Sequence, residues 1–313
     1  MLKAKHLLVV SIVLMLGTFS FQASRLQAQT LGETSNTEAI STYTQAIAKN
    51  PKDAEAYRAR GKAKALSGDY TGAILDFTQA IELDPKYAMA YGARGAAKVL
   101  SGDNTGAISD FTQAIELDPK YAMAYGARGK AKALSGDYTG AISDYTQAIA
   151  LNPQDAMVYG DRGNVKFDLG DNTGAISDYT QAIALNPQLA KAYYNRGNAK
   201  SALGDNTGAI LDYTQAIALD PKCADAYNNR GNAKSALGDN TGAISDYTQA
   251  IALNPQDALA YYNRGRAKAL LRDKAGAFAD LEKAKQLFVA QGDMESYQEA
   301  IRMKNLVSDM FAH

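Results

Sequence analysis

Three sets of seven charged residues run through the chain at one spacing. Arginines stand at Arg60, Arg94, Arg128, Arg162, Arg196, Arg230 and Arg264; lysines come four places later, from Lys64 to Lys268, and aspartates twelve beyond those, from Asp76 to Asp280. Two kinds of chemistry are open to such a set. A bare row of cations would hold phosphates or acidic ligands, whereas cations matched by acids would form an ion-pair network. If the chain runs up one helix and down the next, each Asp returns to a height near its Arg and Lys. Pairing within or between repeats is therefore expected, with Arg162, Lys166 and Asp178 as a representative structural ladder held by charge-assisted bonds. It also accounts for the balance of 33 Lys plus Arg against 33 Asp plus Glu.

Other chemistry has little to work with. The histidines are His6 and His313, and Cys223 is the single cysteine, which excludes an intramolecular disulfide and supplies no metal-ligand set with them. Cys223 reads as a small buried residue, with a free thiol or an interchain pair as alternatives. The recurring "SGD" and "GDNTG" are turns and not phosphate-binding loops, because no strand precedes them and no Lys-Ser or Lys-Thr comes after. The expectation is a non-enzymatic chain without catalytic residues, metal or cofactor, and its even charge draws it to no nucleic acid.

Proline shows which elements carry the ladder. All seven, from Pro51 to Pro255, are spaced 34 residues apart, and glycines from Gly61 and from Gly72 keep the same step. "GNAKSALGDNTGAI" is written at Gly197 and again at Gly231. In residues 54–87, helix formers and apolar places three, four and seven apart predict a first helix ending at Gly68. That glycine can turn left-handed, and Asp69 or Thr71 can cap the next helix. Ala73, Ile74, Phe77, Ala80, Ile81 and Leu83 predict this second helix, stopped at Asp84-Pro85, with proline suited to the first turn of the helix after it.

Tyr57, Gly61, Ala73, Phe77, Ala80 and Pro85 resemble the tetratricopeptide repeat signature, whose period is also 34 residues. The resemblance recurs in every unit over residues 36 to about 291. It implies an all-α fold, a right-handed superhelical solenoid of antiparallel helix pairs. The chain departs from the family in having Tyr57 and its equivalents for Trp, Arg60 and its equivalents for Leu, and Lys64 and its equivalents for the second aromatic. The expected organisation is a signal peptide at 1–28, a linker at 29–35 and a half-repeat helix at 36–53. Seven repeats come next at 54–87, 88–121, 122–155, 156–189, 190–223, 224–257 and 258–291, then a capping helix at 292–313. The last repeat loses its proline, has Arg272 at the turn glycine and Leu281 for the aromatic.

In this family the first helix of each unit lines a concave groove, so the variable residues there are the candidate binding site for an extended peptide or a partner helix. Leu66, Leu100 and Leu134 stand one residue earlier than Leu169, Leu203 and Leu237, about 100° round a helix, and are expected to face the groove. Met89, Met123 and Met157, each with glycine three residues on, suit an adaptable apolar surface or, equally, packing between neighbours. Asn195, Asn229 and Asn263, with Asn198, Asn232, Tyr194 and Tyr262, form a ladder of paired donors and acceptors matching a peptide backbone. These asparagines are expected to face solvent. The cations of the family's carboxylate clamp are missing: Gly160, Tyr194, Asp225, Asn228 and Asn229 stand in those places. The implied partner is a protein or peptide.

The first 28 residues read as an export signal: Lys3, Lys5 and His6, the apolar run from Leu7 to Phe21, then small residues at Ala23 and Ala28. That run of 15 residues falls short of the ~20 needed to span a bilayer. Cleavage and an exported chain, periplasmic or secreted in a bacterium, are expected. The alternative is an uncleaved anchor tethering an assembly factor to a membrane.

Overall fold

The computed structural model describes residues 25–311, and in them every regular element is an α-helix. A single helix α1 (Arg25–Lys49) precedes seven pairs: α2 (Ala54–Leu66) with α3 (Tyr70–Leu83), α4 (Ala88–Ser101) with α5 (Asn104–Leu117), α6 (Ala122–Leu134) with α7 (Tyr138–Leu151), and α8 (Ala156–Asp168) with α9 (Asn172–Leu185). The remaining pairs are α10 (Ala190–Ala202) with α11 (Asn206–Leu219), α12 (Ala224–Ala236) with α13 (Asn240–Leu253), and α14 (Ala258–Leu270) with α15 (Lys274–Gln291), before a last helix α16 (Met294–Met310). Residues 29–35, read as a linker, are helical within α1. Residues 1–24 of the expected signal lie outside the described residues. Among the described residues no helix is long and apolar enough to cross a membrane.

The turns explain the repeated letters. Gly68 takes φ +85°, and Asp69 caps α3 by accepting a bond from Gly72 N at 2.8 Å, so aspartate and not Thr71 serves as the cap. The last pair has Arg272 at φ 64° where the others have glycine, a left-handed conformation that costs an L-residue about 1–2 kcal/mol. Pro85 stands in the turn ahead of α4, not in its first turn: the helix starts at Ala88, and Asp84 accepts a bond from Lys86 N at 3.0 Å. Proline therefore acts by ending α3.

The chain divides into two compact units, Met1–Val165 and Lys166–His313. In the first, α1 packs on α2, α3 on α4 and α5 on α6, while the first helices α2, α4 and α6 also touch one another in turn. In the second, α9 packs on α10, α11 on α12, α13 on α14 and α15 on α16, and the first helices α10, α12 and α14 are again neighbours. A face built of first helices thus runs along each unit.

Alanine makes the close approach possible. Ala73, Phe77 and Ala80 of α3 are fully buried, with Phe77 between Ala65 of its own pair and Ala97 of the next. Burial of such a ring is worth about 1.5–3 kcal/mol. Gly61 lies beneath it, and a Cβ there would come within 2.8 Å of the Phe77 ring. The same arrangement recurs with Gly197 under Tyr213 and Gly231 under Tyr247.

Candidate functional site

The charges of the ladder are paired with one another. Arg230 donates through Nε to Asp246 Oδ2 at 2.9 Å and through Nη2 to Oδ1 at 2.7 Å, while Lys234 Nζ lies 2.8 Å from Oδ2. Its Nη1 reaches back to Thr214 Oγ1 of the preceding pair at 3.1 Å, and the guanidinium lies over the Tyr227 ring. The same pattern joins Arg60, Arg94, Arg128, Arg196 and Arg264 to their aspartates, the ion pair within a repeat and the hydroxyl bond between repeats. Of the representative set, Lys166 pairs with Asp178 at 2.8 Å, and Arg162 donates to Thr146 at 3.0 Å over the Tyr159 ring. Bonding to aspartate raises the pKa of Arg60, Arg128 and Arg264 above the ordinary arginine value. With all seven aspartates buried and these cations committed to them, the ladder offers no open track for phosphate.

The asparagines do not face solvent freely. Asn229 Nδ2 donates to Asn198 Oδ1 at 3.0 Å and to Tyr194 OH at 3.2 Å, and Asn263 Nδ2 donates to Asn228 Oδ1 at 3.4 Å. Asn195 is half-buried and engaged as well. Asn198 and Asn232 accept from the hydroxyls of Tyr213 and Tyr247, each at 2.8 Å. Tyr213 and Tyr247, standing where earlier units have Phe77 and Phe111, thus bring a polar atom into the packing, and the asparagine one residue after the first-helix glycine satisfies it; in the third repeat, beside Tyr145, Lys130 stands in that place. Burial pushes the pKa of Tyr213 and Tyr247 up, so both phenols stay protonated donors. Tyr262 is buried against the last two helices. This polar seam joins adjacent repeats before any ligand arrives.

The first unit differs. Met89, at 51% exposure, and Met123, at 47%, line a pocket of about 110 Å³ together with Gly92, Tyr121, Arg58 and Lys62. Met157 is exposed but does not line it. The glycines do not all leave room for a visiting chain. A Cβ at Gly92 would lie 3.0 Å from the Tyr121 ring, so that space is taken by this chain's own tyrosine, whereas Gly160 has nothing within 4 Å. Tyr87 and Tyr121 occupy the N-cap places of α4 and α6, where α2 and α14 have the capping aspartates Asp53 and Asp257. Tyrosine in place of a capping aspartate worth about 1 kcal/mol is a mark of these two residues in their own units, though nothing in it links them to Arg58 or Lys62.

The three leucines expected to face the groove do not behave alike. Leu100 is half-buried and packs against the core formed by Val99, Ala107 and Phe111, while Leu66 and Leu134 are exposed but outside the pocket. Leu169, Leu203 and Leu237 are more exposed still. All six sit at the last turn or cap of a first helix, and all but Leu100 are exposed there, so the offset of about 100° does not by itself separate groove from solvent. Cys223 is half-buried at the N-cap place of α12, and burial raises its pKa. Among the described residues no group of three or more His, Cys, Asp and Glu side chains is placed to hold a metal ion.

The fold defines the class, an all-α array of antiparallel helix pairs. Tetratricopeptide repeat models match residues 31–88 and 93–156, and a further repeat model of the same kind matches 163–204, 197–238 and 231–271. The chain belongs to the tetratricopeptide repeat family. It is similar to MamA at 26% identity, covering 56% of this chain and 95% of that one with a TM-score of 0.52. It is also similar in fold to YrrB, described as a TPR protein with an unusual peptide-binding site, at 23% identity over 59% and 95% of the two chains and a TM-score of 0.53. The C-terminal part of a TPR protein from Cytophaga hutchinsonii gives 19% identity over 76% and 98%, with a TM-score of 0.60. No curated protein sequence matches the chain. Repeat scaffolds of this family serve protein–protein interaction and are generally non-catalytic.

Proposed function

We propose that the chain is a non-enzymatic scaffold that binds an extended segment or a helix of a partner protein on its first-helix face, at the N-terminal unit. The observation that supports this is the pair Met89 and Met123: two large apolar side chains left about half exposed around one pocket, covered by no other element among the described residues. Methionine adapts to partners of varied shape. The asparagine seam of the second unit contributes rigidity to the array, not free backbone-reading groups. The test is binding of a partner isolated from the same compartment, compared between the wild type and Met89→Ser with Met123→Ser. Loss of binding with unchanged helicity is expected; unchanged affinity would refute the assignment.

Export is part of the same proposal and rests on Lys3, Lys5 and the apolar run Leu7 to Phe21. The alternative role, a membrane-tethered assembly factor, rests on the same run staying attached. N-terminal sequencing of the protein from cells separates them.

A further inference from the structure

We propose that the pocket between Met89 and Met123 takes one leucine- or isoleucine-sized side chain from a partner segment whose neighbouring residues are acidic; this rests on the groove reading of the N-terminal unit. Volume sets the anchor. An enclosed cavity of about 150 Å³ holds benzene, so a pocket of about 110 Å³ is of the size of one branched aliphatic group. The walls agree, with Met89, Met123, Ala93, Ala96, Phe111 and Ala127 all apolar.

Charge sets the flanks. Among the described residues, the charged side chains lining the pocket are the cations Arg58 and Lys62 of α2. Arg58 is held in place, its Nε donating to Glu55 at 2.9 Å and its guanidinium lying 5.7 Å from the centre of the Tyr87 ring. Lys62, one turn on, is half-buried and has no ion pair among the described residues. It stands outside the ladder, in which Lys64 is the lysine that pairs with Asp76. Four residues of helix separate the two cations by about 6 Å, and an extended segment covers about 3.3–3.6 Å per residue. Carboxylates one or two residues from the anchor therefore come within reach of both. A partner carboxylate would give Lys62 the counter-ion that this chain withholds.

The test uses the purified full chain and three fluorescein-labelled peptides tracked by anisotropy. One has a single leucine flanked on each side by two acidic residues, one has the same leucine flanked by lysines, and one has alanine for the leucine between acidic flanks. The acidic leucine peptide is expected to bind at least about tenfold more tightly than either other, and less tightly in high salt. Lys62→Glu should weaken it about tenfold and Lys62→Gln by less, both with wild-type helicity and melting. Equal binding of the lysine-flanked peptide, or an unchanged affinity in Lys62→Glu, would overturn the inference. If leucine peptides bind whatever their flanks and are lost in the double methionine variant, the charge claim falls while the groove reading stands. If the double variant binds all three peptides as the wild type does, both fall.

Discussion

Replacing Arg230 by methionine separates a structural ladder from a ligand track. The substitution keeps an unbranched side chain of similar reach but removes the guanidinium that lies over Tyr227, two bonds to Asp246, an aspartate only 3% exposed, and one to Thr214. Charge-assisted bonds are worth about 1.5–3 kcal/mol each, and removing one partner of a buried ion pair costs about 3–5 kcal/mol. Lys234 remains 2.8 Å from Oδ2, so Asp246 is not orphaned and the lower end, about 3 kcal/mol, is expected. Arg230→Met combined with Asp246→Leu removes both charges and frees Lys234 toward solvent. That double variant should recover to within about 1 kcal/mol of the wild type. The assay is equilibrium urea unfolding monitored by far-ultraviolet circular dichroism, without any ligand. A single variant within about 0.5 kcal/mol of the wild type, together with weakened partner binding, would refute the structural assignment and return the arginines to a ligand-binding role.

Ala141 is fully buried beside Tyr145 and Val165, so Ala141→Leu should destabilise by about 1–3 kcal/mol through overpacking, seen as a lowered or split thermal transition because solenoid stability passes between neighbours. Replacing Asn195, Asn229 and Asn263 together by alanine removes bonds between repeats, at about 0.5–1.5 kcal/mol each; urea unfolding should show the loss, and a wild-type midpoint would reduce the seam to a solvated surface. Glu282 of α15 bonds to Lys304 of α16 and to Lys285, which together hold its pKa below the ordinary 4.5. The stabilisation is therefore present at neutral pH and is lost as the pH falls below about 4.5 through the lowered value; solvent exposure limits it to less than about 1 kcal/mol. Protection of the α16 amides, taken relative to their intrinsic exchange rate at each pH, should fall over that range in the wild type, and Glu282→Gln should remove the dependence.

Much of the fold was legible because it is local. The 34-residue step of proline and glycine, the Asp69 cap and the left-handed Gly68 each depend on a few consecutive residues, whose backbone preferences hold wherever the unit sits. The ladder was legible for a related reason. Arg60 and Asp76 are 16 residues apart, as their equivalents are in every unit, a separation that one antiparallel hairpin brings to one height. Met89 and Met123 stood out as repeated methionines, whereas Arg58, Lys62 and Tyr121 gave no shared signal because each belongs to a different part of its own unit.

The repeat, its helices, its turns and its internal ion pairs are thus consequences of the order of residues within one unit. Only the packed array settles that Asn229 reaches Asn198 and Tyr194, that the Tyr121 ring lies against Gly92, and that Leu100 goes inward while Leu134 stays out. The asparagine contacts cross from one repeat to the next, and Tyr121, at the cap place of α6, reaches back to α4 of the preceding helix pair. They depend on how successive helix pairs are offset and rotated, a quantity set by the summed packing of alanine, glycine and aromatic side chains over the whole seam, which no single unit's letters specify.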